Sequence, residues 1–122
     1  MAQSDFYYQY TATERRGINY IIGVRLDPDE NNVESFAVIL FFRLADGTDV
    51  EVCKVDNSPH EGEPDIHADR YYRAMGADIK DFRIDIESWH EAENYLSENA
   101  ERFADKYYDN HGGEPRDDGK NV

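Results

Sequence analysis

The sequence predicts an α+β fold: an antiparallel, strongly twisted five- to six-stranded sheet with one long C-terminal helix packed on one face. Short segments rich in aromatic and β-branched residues alternate with turn residues through the first two thirds of the chain. One of these segments, residues 36–44, is apolar on both faces and therefore belongs in the middle of a sheet. The last third carries apolar residues at helical spacing.

Six segments are predicted as strands, and polar turns separate them. In the first strand, Phe6, Tyr8 and Tyr10 share one face because side chains alternate along a strand. After the second strand we expect an exposed acidic loop over residues 27–32, and Gly23 is a candidate bulge. The predicted strands cover residues 6–11, 18–26, 36–44, 48–56, 65–72 and 82–86.

The third and fourth strands form a hairpin, and two registers are open to it. A two-residue turn places Arg43 opposite Val50. A three-residue loop with Gly47 in the left-handed conformation instead places Phe42 opposite Val50 and Arg43 opposite Asp49. We prefer the second register because it pairs apolar with apolar residues and gives a cross-strand ion pair.

Ser88 begins the predicted helix, with Glu91 three residues later as in a capping box. The helix covers residues 89–108, the single domain covers residues 1–108, and residues 109–122 form a flexible acidic tail. One helix cannot cover both faces of the sheet, so the second face meets the sheet itself, a second protomer or a partner. The apolar stripe of the helix consists of Trp89, Ala92, Leu96, Ala100, Phe103 and Tyr107.

The charge balance is extreme, with a formal net charge of −14 from 27 acidic and 13 basic residues, of which only four are lysines. Dense carboxylates with few lysines are typical of proteins that stay hydrated in concentrated salt. From this charge balance we expect a halophilic-type protein. The N-terminus resembles no signal peptide and no segment is a membrane span, so we expect it to be cytoplasmic. The lone cysteine, Cys53, excludes an internal disulfide and is expected to be a buried, inert thiol.

Residues 52–73 hold the best candidates for chemistry. His60 and His67 are joined by a loop with Gly62 and Pro64 that can fold them together. A histidine pair beside an arginine is suited to phosphodiester cleavage, since one histidine removes the proton of a 2′-hydroxyl and the other protonates the leaving oxygen. We assign catalysis to His60, His67, Arg70 and Asp56, and binding to Asn57, Pro59, Asp69 and Arg73.

Two other interpretations of these residues remain open. The same histidines and aspartates are able to ligate a metal, and turn histidines are often surface residues without a role. We assign no metal ligand and no cofactor.

The turn Asp56-Asn57-Ser58-Pro59-His60, the later His67 and the Ile84-Asp85-Ile86 segment before the helix together resemble the TumE-type toxin family and related uncharacterised haloarchaeal small proteins. The resemblance covers roughly residues 17–107. It implies an antiparallel hairpin, a histidine-containing strand and a C-terminal helix. It also implies a toxin that a helix-turn-helix antitoxin neutralises, with cleavage of RNA. The positions carried over are Asp56, Asn57, Pro59, His60 and His67.

Three functional hypotheses follow. The first is a toxin-like protein that cleaves or binds RNA. The second is a non-catalytic interaction module or a homodimer, which uses the uncovered face of the sheet. In the third, residues 52–73 are purely structural.

Overall fold

Six antiparallel strands form one open sheet in chain order, and two helices follow them, in a computed structural model that describes residues 6–116. The predicted α+β class and antiparallel sheet are confirmed. The strands are β1 (Tyr8–Arg15), β2 (Ile18–Asp29), β3 (Asn32–Arg43), β4 (Asp49–Asp56), β5 (His67–Asp69) and β6 (Lys80–Asp81), and the helices are α1 (Trp89–Glu98) and α2 (Ala100–His111).

The main core lies between the sheet and the helices. Strand β3 is buried on both faces, as its composition predicts: Val38, Leu40 and Phe42 belong to the main core, while Ile39 and Phe41 belong to a smaller cluster on the other face. The predicted helical stripe is confirmed as the surface that meets the sheet. Its buried members are Ala92, Leu96, Ala100, Phe103 and Tyr107.

The β3–β4 hairpin has the register that we prefer at its turn. Phe42 lies opposite Val50, and Arg43 lies opposite Asp49 with 2.7 Å between Nε and Oδ1. Gly47 has φ of +91°, a left-handed value that favours glycine.

Farther from the turn, strand β4 contains a bulge that the sequence does not reveal. Glu51 lies opposite Phe41, whereas Cys53 lies opposite Leu40, so Val52 is the extra residue. Both Val52 and Cys53 join the main core. The bulge consequently leaves Glu51 and the next outward residue, Lys54, on the same face of the sheet.

The prediction of one long helix is wrong, because the helical segment divides at Asn99. This residue has φ of −107° and ψ of 10°, outside helical values. Its side-chain amide donates to the Tyr95 carbonyl and accepts from Arg102. Asparagine interrupts helices in this way because its side chain competes for backbone partners. The Ser88 N-cap is confirmed: its hydroxyl accepts from the Glu91 backbone N–H at 3.2 Å.

The second face of the sheet is partly covered by the chain itself. The Phe6 ring stacks on Phe41 with centroids 5.4 Å apart, and it lies so close to Gly23 that a Cβ there would be 2.6 Å from the ring. The close approach of Phe6, and not a bulge, therefore explains the glycine. The prediction that Phe6 shares a face with the tyrosines is wrong, because Tyr8 and Tyr10 donate to Glu93 on the helix side.

Several element boundaries differ from those predicted. Strands β2 and β3 continue through the expected acidic loop, so that only residues 30 and 31 form the turn. Strand β5 is shorter than the strand predicted over residues 65–72, and the strand predicted over residues 82–86 is wrong, because β6 lies just before that segment. Strand β5 ends where Arg73 N–H bonds the Arg70 carbonyl in a turn, and β6 ends where Asp81 accepts from the Arg83 backbone.

The C-terminal segment contacts the fold as far as the structure describes it. Helix α2 ends at His111, and Asn110 and His111 donate to the backbone carbonyls of Tyr72 and Arg73, both at 2.8 Å. The rest of the predicted tail, residues 117–122, lies outside the described residues. Within residues 6–116, neither helix has the length and apolar character that crossing a membrane requires.

Candidate functional site

A cluster of charged side chains lies on the face of the sheet away from the helices, across β4, β5 and β6. Asp56 is the register partner of His67, and Lys54 is the partner of Asp69, which also pairs with Lys80. Cross-strand partners project to the same side of a sheet. We call these five residues the polar cluster.

The polar cluster combines buried carboxylates with ammonium groups nearer to solvent. Lys80 Nζ lies 2.7 Å from Asp69 Oδ1, and Lys54 Nζ lies 3.5 Å from Asp56 Oδ2 and 3.8 Å from Asp69 Oδ2. The Asp69 side chain is 3% exposed, whereas those of Lys54 and Lys80 are 24% and 38% exposed. The lysines therefore approach from the rim, and the acids lie inside.

His67 is fully buried at the centre, and its two ring nitrogens differ. Nδ1 lies 3.0 Å from the carbonyl oxygen of Asp65 and must donate, since a carbonyl only accepts. Nε2 has no hydrogen-bond partner although it is buried. Asp56 Oδ1 is 3.2 Å away but out of line for a hydrogen bond, and Asp69 Oδ2 is 3.8 Å away.

His60 lies against His67, as the sequence predicts for the two histidines. Their ring centroids are 4.6 Å apart and the rings meet edge to face. Phe82 packs on both rings. His60 Nδ1 donates to the Ser58 carbonyl at 3.1 Å, which holds the ring in place. Because His60 is half-buried and His67 is 1% exposed, only His60 has access to solvent.

Asp56 is held as a carboxylate. Its Oδ1 accepts from the Ser58 backbone N–H at 3.1 Å and from the Ser58 hydroxyl at 2.8 Å. Burial acts to raise the pKa of Asp56, but the Ser58 bonds, with His67 and Lys54, lower it below its ordinary value. Asp56 is therefore a weak base and a good partner for a cation.

The predicted arginines do not join the polar cluster. The Arg70 guanidinium donates to the hydroxyls of Tyr72 and Tyr95 and to Asp81. Burial acts to lower the pKa of Arg70, but the interactions with Tyr95 and Tyr72 raise it. Tyr72 belongs to the main core, so Arg70 points to the helix side. Arg73 donates to the Asp78 carbonyl in the following loop. The structure thus separates the histidines from both arginines.

Two of the predicted binding residues, Asn57 and Pro59, lie outside the polar cluster. Asn57 accepts from the Phe36 N–H and donates to the Glu34 carbonyl, which extends the pairing of β3 beyond the end of β4. Pro59 is exposed in the turn before His60. Of the predicted set, His60, His67, Asp56 and Asp69 come together.

An open cavity of about 300 Å³ adjoins the polar cluster. Lys54 and Asp56 belong to both, and Arg25 from β2 brings a second cation to the wall. Its remaining lining residues are Asp27, Ser35, Phe36, Ala37, Asn57 and Ser58. The cavity gives solvent a route to Asp56.

A family model described as Domain of unknown function (DUF7718) matches residues 1–113. The chain belongs to this DUF7718 family. No curated protein and no solved structure matches the chain significantly. Membership of DUF7718 carries no assigned activity, so the chemistry of the site rests on the geometry above.

Four residues of the site and its cavity escaped prediction: Lys54, Lys80, Ser58 and Arg25. Lys54 is two residues from Asp56 on one strand, a spacing that puts both on one face. The chain has only four lysines, and two of them, Lys54 and Lys80, lie in the cluster. The small number of lysines is the one sequence feature that could have pointed to these two residues. Ser58 follows an aspartate by two residues, as in an Asx turn.

Proposed function

We propose that this DUF7718 protein is a cytosolic, toxin-like protein that binds or cleaves RNA at the rim of the polar cluster. The observation that carries the proposal is the contact between His60 and the buried His67–Asp56 pair, next to a cavity with two cations in its wall. In a chain of net charge −14, a wall with Arg25 and Lys54 is a local place for a phosphate.

The roles differ from those that the sequence alone favours. His60 is the group that exchanges a proton with RNA, because it reaches solvent. His67 acts as a positioning residue behind it. Lys54 and Arg25 take the role of phosphate partners that the sequence assigned to Arg70, since the Arg70 guanidinium is bonded elsewhere.

The test is regulated expression in a salt-tolerant host. We expect wild-type protein to arrest growth and to shorten cellular RNA, and we expect His60→Ala to abolish both with an unchanged melting temperature. His90→Ala is the matched control, because His90 is exposed on α1 and Trp89 is its only ring–ring contact within residues 6–116. Equal arrest by wild type and His60→Ala, or no arrest by either, contradicts the proposal.

The toxin resemblance also implies a protein partner. We infer that a helix-turn-helix antitoxin binds this chain and relieves the arrest. A homodimer or an interaction module is the alternative function. This alternative requires an uncovered apolar face on the sheet, but Phe6 packs on Phe41 and partly covers that face. Sedimentation should therefore give a monomer, and a stable dimer that tolerates His60→Ala favours the alternative.

We also propose that the fold is adapted to concentrated salt, on the basis of its net charge of −14. Raising the salt from about 0.1 M to about 1 M shortens the screening length from about 10 Å to about 3 Å and weakens repulsion between carboxylates. The melting temperature should therefore rise with KCl over this range. Sorbitol at matched osmolality is the control, because it does not screen charge. A melting temperature that ignores KCl contradicts the salt proposal.

A further inference from the structure

We propose that Asp56, His67 and Asp69 bind a divalent transition-metal ion, such as Mn²⁺ or Zn²⁺, between β4 and β5. This inference goes beyond the proposed action on RNA and does not depend on it. The three residues each offer one ligand atom, and these atoms lie within 4.8 Å of one another. All three residues are buried.

The first argument is the unpartnered nitrogen of His67. A buried polar atom without a partner costs free energy, so its presence in a folded protein calls for an explanation. Nδ1 donates to the Asp65 carbonyl, so the lone pair of the neutral ring is on Nε2, which lies 3.2 Å from an Asp56 oxygen and 3.8 Å from an Asp69 oxygen. Carboxylates cannot donate to a lone pair, but a cation between them can accept it.

The second argument is the outer partner of the ring. A histidine that ligates a metal usually donates its other N–H to a carbonyl or carboxylate, which fixes the tautomer and orients the lone pair. His67 has this arrangement through Asp65, and Asp56 is fixed in turn by the two bonds from Ser58. The candidate ligands are therefore oriented in advance.

The third argument is distance. Two ligands that are each about 2.1 Å from one ion lie no more than about 4.2 Å apart. His67 Nε2 is 3.2 Å from Asp56 Oδ1 and 3.8 Å from Asp69 Oδ2, so the two pairs that include the nitrogen satisfy this limit, and all three ligand atoms lie within 4.8 Å of one another. One nitrogen and two oxygen ligands favour Mn²⁺ or Zn²⁺ over Ca²⁺, whose ligands are oxygens.

The two lysines define how the ion enters. Lys54 and Lys80 together supply two positive charges beside two carboxylates, the same charge that a divalent ion carries. Their stems are partly exposed and can move outward, whereas the aspartates are buried. When a metal binds, the carboxylates lose their contacts with the two lysine ammonium groups and gain contacts with one divalent ion. The lysines therefore compete with the metal for the carboxylates.

The experiment is calorimetric titration of MnCl₂ and of ZnCl₂ into the EDTA-treated, dialysed full chain, in about 1 M KCl to screen the many surface carboxylates. We expect one ion per chain. Asp69→Asn should weaken binding at least about tenfold, the size of effect seen when even an outer partner is lost. Asp105→Asn is the matched control, since Asp105 pairs with Arg15 and Arg16 away from the cluster.

A second variant keeps the test independent of folding. Lys80→Met removes the competitor of the metal at Asp69 Oδ1, so it should tighten binding. In parallel, ¹⁵N NMR should show the Nε2 resonance of His67 shifting on addition of Zn²⁺. Weaker binding in Lys80→Met, equal binding in Asp69→Asn and Asp105→Asn, or no binding by folded wild type at about 1 mM metal overturns the proposal. None of these readouts uses RNA, so a negative result leaves the proposed function to its own test.

Discussion

Both faces of the sheet at β4 and β5 contain buried side chains, but the two faces differ in chemistry. Toward the helices, Cys53, Val55 and Ala68 are fully buried among apolar side chains. On the other face, the neighbouring residues Asp56 and His67 are 8% and 1% exposed and are polar. Burial is therefore not what distinguishes the candidate site from the core.

The helix side behaves as ordinary packing. The Cys53 thiol illustrates this, since burial raises its pKa to about 12 and leaves it protonated and inert, as the sequence predicts. The polar side has no comparable stabilising purpose, because a buried ion pair rarely contributes more than apolar residues of similar volume. A buried group of titratable side chains that does not stabilise the fold better than apolar residues is a candidate functional site.

The largest effect that distinguishes the faces is expected from Phe103→Ala. Phe103 is fully buried on α2 and stacks on Tyr72 at 4.6 Å. Removing a ring from such a position typically costs about 3–5 kcal/mol of unfolding free energy. Urea denaturation in about 1 M KCl measures it. Met75→Ala, at an exposed residue, should change stability by no more than about 0.5 kcal/mol. A similar small loss for Phe103→Ala would mean that the helices do not cover this face.

A smaller loss is expected from Asp69→Asn on the polar side. The substitution keeps the shape but removes the charge that faces Lys80 at 2.7 Å. Losing one partner of a fully buried pair costs about 3–5 kcal/mol, and solvent at the partly exposed lysine reduces this to about 1–3 kcal/mol. Urea denaturation of wild type and variant in the same buffer gives the difference.

Asp49→Asn is the matched control for that measurement. Asp49 pairs with Arg43 at the same 2.7 Å, but at an exposed position, where ion pairs contribute about 0–1 kcal/mol. If Asp49→Asn and Asp69→Asn cost the same, the polar cluster is an ordinary surface network and the contrast between the faces fails.

The apolar side could be predicted well from the sequence, because hydrophobic periodicity is a local property. The alternation around Gly47 selects the hairpin register, and the stripe through Phe103 identifies the buried face of the helices. The break at Asn99 was missed because the stripe continues across it, and only the hydrogen bonds of one side chain divide the helix.

The polar side could be predicted only in part. The proximity of His60 and His67 follows from a short loop with turn residues, and the rings do meet. The association of Lys80 with Asp69 depends instead on the pairing of β5 with the two-residue strand β6. No local sequence pattern predicts so short a strand. The face on which Lys54 lies depends on the bulge in β4. Arg70 was misplaced because two of its partners, Asp81 and Tyr95, are 11 and 25 residues away in the sequence.

The smallest expected effect concerns pH, and it tests whether Asp56 is a carboxylate held by its surroundings. Its pKa is lower in the folded chain than in the unfolded chain, where the pKa of aspartate is about 3.9. The unfolded state therefore binds more protons, and the stability that Asp56 contributes is present above pH about 4 and is lost as the pH falls through the folded pKa. Asp56→Asn removes this contribution. The difference in unfolding free energy between wild type and variant, measured by urea denaturation, should then shrink from pH 5 to pH 3.

Relief of repulsion among the other carboxylates is common to both proteins and cancels in the difference. Phe103→Ala, whose side chain cannot titrate, should give a difference that stays constant over the same range. A constant difference for Asp56→Asn as well would mean that Ser58, His67 and Lys54 do not favour the charged form, and the polar face would then lose the electrostatic character that separates it from the core.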